Sequence, residues 1–202
     1  MTVALVDYGA GNLTSVTKAF REVGALVTVV TEASGIESAG AIVVPGVGHF
    51  AATRPLDERW HAAIRARLDR GAALLGICLG LQWLFEGSDE APDLPGLGLF
   101  PGRCTLLPGP LKVPHVGWNV IERTAASSRL LDEDTTNAYA YFTHSYAAPI
   151  VADTVARTDH GVPFSSVVER GRVFGAQFHP EKSAATGLQL LSTFLRLAGE
   201  AR

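Results

Sequence analysis

The chain has 202 residues, 47% of them hydrophobic and 18% charged, with a net charge of −3 at neutral pH. That length suits one well-filled core, so residues 1–202 are expected to form a single domain. Lysine and arginine do not cluster, which disfavours nucleic acid and anionic membrane as partners, and the longest apolar run, around Ala72 to Phe85, is too short to span a bilayer.

The N-terminus, Met1-Thr2-Val3-Ala4-Leu5-Val6-Asp7, has no basic segment and no small-residue cleavage site, so a cytoplasmic location is expected. In that compartment Cys78 and Cys104 argue against a disulfide framework, and Cys104 reads as a packed, inert thiol. Val3 to Asp7 reads as a strand running into Tyr8-Gly9-Ala10-Gly11-Asn12. Asn12 can cap a helix over Leu13 to Val23, and Gly24 falls where a helix C′ residue is expected. Leu26 to Val30 and Ala41 to Val44 are further strands, the latter closed by Pro45-Gly46-Val47-Gly48. Leu56, Trp60, Ile64 and Leu68 then mark the apolar stripe of a helix that stops at Gly71.

Ala72 to Ile77 has the length and composition of a buried strand, and Leu81, Leu84 and Phe85 recur at helical spacing after it. Between them lies Gly76-x-Cys78-x-Gly80, the pattern of a nucleophile elbow. Glycines at 76 and 80 let strand and helix converge, and the bend places the Cys78 sulfur near a helix N-terminus, where unpaired N–H groups favour a thiolate. Short apolar strands alternating with helices indicate an α/β fold: three layers, a largely parallel central sheet flanked by helices, with an additional region of short strands. In such sheets the loops beyond the carboxyl ends of the strands carry function, which gathers Asp7–Asn12, Pro45–Gly48 and Cys78 at one edge.

From Gly87 the texture changes to dense glycine and proline, from Pro92 through Pro110, with brief apolar pieces between. His115 to Ile121 and Tyr139 to Tyr146 read as strands, and Ser166–Glu169 with Val173–Gln177 as a hairpin around Arg170-Gly171-Arg172. Phe178-His179-Pro180-Glu181-Lys182-Ser183 leads into a last helix bearing Leu188, Leu191, Phe194, Leu195 and Leu197. Nucleotide binding is disfavoured: the Tyr8–Asn12 turn lacks the third glycine of the dinucleotide pattern, and no P-loop lysine follows Gly46 or Gly48.

A cysteine nucleophile needs a base, and the base an orienting group. His179-Pro180-Glu181 can supply both. Side chains two apart in an extended segment share a side, so Glu181 can hold one ring nitrogen of His179 and leave the other for Cys78.

Gly76-x-Cys78-x-Gly80-x-Gln82 with a downstream Phe178-His179-Pro180-Glu181 closely resembles the triad, class I glutamine amidotransferase family, over nearly the whole chain. The resemblance implies that Cys78 attacks the side-chain amide of glutamine, that His179 acts as base and then acid, and that Glu181 orients it. No cofactor and no metal are implied. Asp7–Asn12, Pro45–Gly48, His115-Val116-Gly117-Trp118-Asn119 and His144-Ser145-Tyr146 resemble the branch of glutaminase subunits that serve imidazole glycerol phosphate synthases in histidine biosynthesis. Val47 helps separate this branch from pyridoxal phosphate synthase glutaminases, which typically carry Gly-Gly-Glu-Ser there; a non-amidotransferase cysteine hydrolase is a further alternative, disfavoured by Gln82 and the His179–Glu181 spacing.

By the same resemblance, the N–H of Leu79 with an amide of Gly46–Val47–Gly48 forms an oxyanion hole. Gln82, Glu90, His144, Ser145 and Tyr146 bind substrate, Glu90 through its α-ammonium and residues 144–146 through backbone contacts to its carboxylate. A (β/α)8-barrel cyclase is the implied heterodimer partner, with Asn12, Trp118, Asn119 and Lys182 at the interface.

Overall fold

A computed structural model of the chain describes residues 1–109, 111–124, 127–131 and 138–200; Pro110, at the end of the glycine- and proline-rich stretch, lies outside them. The first half runs β1 (Thr2–Val6), α1 (Leu13–Glu22), β2 (Leu26–Val30), β3 (Ala41–Val44), α2 (Glu58–Asp69), β4 (Ala73–Ile77) and α3 (Leu79–Leu84). The second half is mostly strands: β5 (Gly87–Ser88), β6 (Arg103–Leu106), β7 (His115–Arg123), β8 (Ala138–His144), β9 (Tyr146–Ala147), β10 (Thr154–Asp159), β11 (Pro163–Arg170) and β12 (Val173–Ala176). A short 3-10 turn, Pro180–Lys182, leads into α4 (Ala184–Gly199).

Nine strands form one sheet in the order β2-β1-β3-β4-β12-β11-β10-β7-β8. The five from β2 to β12 are parallel and the rest pair antiparallel. Connection length accounts for the division. Crossovers through α1, through a 3-10 turn at Ala33–Ile36 and through α2 bring β2, β3 and β4 back in the same direction as β1, whereas a tight turn at Gly171, with φ of +60°, folds β11 back on β12. The expected short-stranded region divides in two. Among the described residues β5, β6 and β9 make a separate small sheet, while β7 and β8 extend the main one. Strand β10 is absent from the sequence reading, because Arg157 and Asp159 interrupt its apolar pattern.

Alternation along each parallel strand feeds two cores, giving the three layers. Val3, Leu5, Val43 and Leu75 meet Val16 and Phe20 of α1 and Leu191 and Phe194 of α4. Ala4, Val6, Ile42, Val44 and Leu74 meet Trp60 and Ile64 of α2 and Leu81 of α3. Asn12 caps α1, its Oδ1 accepting from Ser15 N at 3.1 Å, and Gly24 follows the helix at φ +85°. Leu56 is buried but precedes α2, which Asp57 caps.

Helix α3 stops one residue short of Phe85, which is extended. The cause lies in the glycine- and proline-rich loop. Its backbone N–H groups at Leu97, Gly98 and Leu99 donate to the carbonyls of Trp83, Phe85 and Leu84 at 2.6–3.0 Å, taking the acceptors that a longer helix would use internally. Among the described residues no helix is long and apolar enough to cross a membrane.

Candidate active site

Cys78 joins β4 to α3 with φ +52° and ψ −105°, a conformation that costs a non-glycine residue about 1–3 kcal/mol unless its surroundings enforce it. Here they do. Its N–H donates to Ala176 O at 2.8 Å, and its carbonyl accepts from Gln82 N at 3.1 Å. A Cβ on Gly80 would run into the Val44 carbonyl, and one on Gly76 would lie 2.6 Å from Gly80 O. The two glycines are therefore required by backbone contact, as the motif implied.

Strand β12 lies beside β4, with Ala176 opposite Ile77, so the chain leaving β12 passes the elbow. Gln177 and His179 follow two residues apart. Gln177, completely buried, points Nε2 at the Cys78 sulfur from 3.7 Å. His179 is anchored by its own backbone, N–H to Tyr141 O at 2.9 Å and carbonyl to Ser183 Oγ at 2.7 Å. Its Nδ1 lies 2.8 Å from Glu181 Oε1, and the two side chains are only 1% and 2% exposed. The proton on Nδ1 is thus committed to Glu181. Nε2 is buried with no hydrogen bond of its own, and the charge acting on the ring comes from Cys78 and then Glu181. Burial opposes an imidazolium here, yet the neighbouring Cys78 and the Glu181 carboxylate outweigh it and raise the His179 pKa to about 10. The electrostatics favour the imidazolium form of His179.

Cys104, the other free thiol, is fully buried 3.9 Å from Gln82 O, and burial pushes its pKa far up. Its chemistry is that of an inert core residue.

A cavity of about 230 Å³ is lined by Cys78 together with Leu79 and Gln82 of α3, Gly48, Glu90, and the His144-Ser145-Tyr146 segment. A larger groove of about 980 Å³, between Tyr8 and α2, holds neither cysteine nor histidine. Of these two, the smaller cavity is lined by Cys78. Gln82 is buried and donates from Nε2 to Tyr146 O at 2.8 Å. The Glu90 carboxylate accepts from Phe50 N at 2.7 Å, which ties it to the loop after Gly48.

In the Pro45–Gly48 turn, Gly46 is wedged so closely that a Cβ would strike Tyr8 Oη and, at 2.7 Å, Leu79 Cβ. Tyr8 Oη donates to Pro45 O at 2.7 Å; burial, with the Cys78 charge nearby, pushes its pKa upward. Val47 is exposed, and Gly48 has φ +91°.

Of the four residues expected to meet a partner, Trp118 is 53% exposed on the outer face of β7, edge-on to Tyr141 at 6.1 Å. Lys182 Nζ stands 5.8 Å over the same Tyr141 ring, and Asn12 is exposed at the start of α1. Asn119 differs. Strand alternation turns it to the face opposite Trp118, where Nδ2 donates to Asp159 O at 2.9 Å.

Two further groups touch the sulfur: Gln177, and the Thr143 carbonyl at 3.9 Å. For Gln177 the signal was available in its two-residue spacing from His179 on an extended segment. Thr143 contributes only a backbone atom, which its side chain does not announce. No group of three or more histidine, cysteine, aspartate or glutamate side chains suited to a metal occurs among the described residues.

A cysteine on a strand-to-helix bend, a buried histidine and a carboxylate behind it have the chemistry suited to acyl transfer through a covalent thioester. Residues 4–197 match the model of the family "Glutamine amidotransferase class-I", and the chain belongs to that family. Within it, the chain is 46% identical over 200 residues to "Imidazole glycerol phosphate synthase subunit HisH" of Deinococcus radiodurans, covering 96% of this chain and 93% of that one. It is 42% identical over 196 residues to the protein of the same name in Methanothermobacter thermautotrophicus, covering 96% and 98%. Among solved structures, one titled "Crystal structure of glutamine amidotransferase" superposes with a TM-score of 0.75 at 21% identity, covering 98% of this chain and 99% of that one. That likeness concerns the fold.

Proposed function

We propose that residues 1–202 form one cytoplasmic glutaminase domain, the HisH-type subunit of an imidazole glycerol phosphate synthase, hydrolysing glutamine to glutamate and passing ammonia to a cyclase partner. The observation that carries the chemistry is the Cys78–His179–Glu181 arrangement, with Nδ1 held by Glu181 at 2.8 Å and Cys78 the largest influence favouring the imidazolium. The identity to the HisH relatives over almost the full chain supports the choice of branch.

In this reading the Cys78 thiolate adds to the glutamine side-chain carbonyl, and the oxygen takes the negative charge. Leu79 N–H and an amide of Gly46–Val47–Gly48 stabilise it; one such donor is typically worth about 3–4 kcal/mol. The intermediate collapses as His179 gives its proton to the departing ammonia, leaving a glutamyl thioester on Cys78. Water, deprotonated by His179, then attacks the thioester and releases glutamate and the thiolate. Glu90 faces the cavity as a counter-charge for the substrate ammonium, with Gln82 and the backbone of residues 144–146 around the rest of the molecule.

Free ammonia in water is largely protonated and a poor nucleophile, so it is best delivered directly. The outer face of β7 and β8 supports a docking partner: Val116, Trp118 and Tyr139 are each more than half exposed on it, beside Lys182. The implied occupant is the (β/α)8-barrel cyclase, met by Asn12, Trp118 and Lys182, with Asn119 contributing from the inner face through its hold on β7.

The test is glutamine hydrolysis by the chain alone, with the cyclase, and with the cyclase and its nucleotide ligand. Low activity alone and strong stimulation in the full mixture are expected. Stimulation by a pyridoxal phosphate synthase in place of the cyclase would overturn the assignment of branch.

A further inference from the structure

On the inner face of β7 and β8, Asn119, His115 and His144 form a hydrogen-bonded chain that the thioester chemistry does not use. Its direction can be worked out from one end. Asn119 Oδ1 accepts from Val120 N at 2.8 Å and Nδ2 donates to Asp159 O at 2.9 Å, so the amide has a single permitted orientation. Nδ2 also faces His115 Nε2 at 3.3 Å. An amide nitrogen only donates, so His115 Nε2 accepts and its proton resides on Nδ1. That Nδ1 lies 3.2 Å from His144 Nε2, which must therefore accept, leaving the His144 proton on Nδ1. His144 Nδ1 in turn lies 2.9 Å from Tyr146 O. Each donor dictates the next.

The chain ends on the carbonyl that already accepts from Gln82 Nε2 at 2.8 Å. Ser145 and Tyr146, which line the Cys78 cavity, are thereby held from both sides. Protonation of either ring would set N–H against N–H, and both sites disfavour it. Burial lowers the His144 pKa to about 3, and burial with the nearby His160 lowers that of His115 to about 4.

We propose that Asn119, His115 and His144 are positioning residues for substrate, fixing the Ser145–Tyr146 backbone by a one-way hydrogen-bond chain that starts on the partner-facing strand. The proposal rests on the reading of that cavity as the glutamine site. The competing account is plain packing, because His115 stacks on Phe142 with ring centroids 4.9 Å apart and on His160 at 4.1 Å.

Two replacements of His115 separate the accounts. His115→Gln keeps an acceptor for Asn119 and a donor for His144, whereas His115→Phe keeps the aromatic stack and loses both. In the cyclase complex, His115→Phe should raise the KM for glutamine roughly five-fold with kcat within about two-fold, and His115→Gln should stay near wild type, as expected for one hydrogen bond of ordinary strength. Phenylalanine proving the milder change, or KM failing to move, would leave packing as the whole explanation. Asn119→Ala, which leaves the aromatic cluster intact, should raise KM in the same sense and covers the case in which the phenylalanine variant does not fold. Nitrogen-15 NMR of the histidine side chains in the full chain is independent of activity: His115 and His144 should both carry the proton on Nδ1, and an Nε2-protonated ring at either position would overturn the chain. A wild-type complex without glutamine hydrolysis would instead overturn the reading of the cavity, while the NMR still judged the chain.

Discussion

At the scale of single residues, the site depends on which nitrogen of His179 is occupied. Glu181 takes Nδ1 at 2.8 Å with both side chains buried, so the carboxylate fixes the tautomer and supports the cation. In Glu181→Gln the support is lost and the amide can present N–H where an acceptor is required. The expected result is a fall in kcat on the order of 10²-fold with folding preserved, read by ammonia release in the cyclase complex. The cluster of Cys78, His179 and Glu181, proposed as nucleophile, base and orienting partner, was legible in the sequence because each is a reactive side chain at a diagnostic spacing. Gln177 was less conspicuous, being a neutral amide just past the end of β12, and the Thr143 carbonyl was invisible because any residue could supply it.

At the scale of elements, the strand–turn–helix unit around Cys78 is the part most strongly dictated by local chemistry. Gly80 allows α3 to lie against the end of β3, where a methyl group would overlap the Val44 carbonyl. Gly80→Ala should therefore destabilise the chain by about 1–3 kcal/mol, the usual range for overpacking, with β3 and the Pro45–Gly48 turn displaced together. Urea unfolding measures the first effect, and a greater loss of glutaminase activity than of stability would reveal the second. The parallel strands were legible because each is a short apolar run ended by a turn. The end of α3 was not, since it is set by backbone N–H groups of Leu97, Gly98 and Leu99 that no side-chain pattern encodes. The side of β7 on which Asn119 falls was available from alternation, and it separates Asn119 from the exposed Trp118.

At the scale of the whole molecule, the buried histidines make stability depend on pH in two opposite ways. In the unfolded chain each titrates near the ordinary value of about 6.5. His115 and His144 are lowered on folding, by burial first and by the neighbouring His160, and for His144 by His179 as well. Between about pH 4 and 6.5 the unfolded chain therefore binds more protons, so their contribution is full above pH 6.5 and is lost as pH falls. His179 is raised to about 10, so its contribution is present below pH 6.5 and is lost as pH climbs through 10. The urea midpoint should drop between pH 7 and pH 5, and His115→Gln should flatten that drop. A midpoint that rises on acidification would contradict the neutral pair. The sheet's overall α/β character could be read from the alternation of strands and helices, but the joining of β7, β8, β10 and β11 to its far edge depends on long-range pairing that composition does not specify.

In the proposed mechanism Cys78, and no other group, receives the glutamyl chain. Peptide mapping after treatment of the cyclase complex with a diazoketone analogue of glutamine tests it most directly. One covalent adduct on Cys78 is predicted, with Cys104 untouched; an adduct on Cys104, or a chain that turns over glutamine with Cys78 left unmodified, would contradict the account.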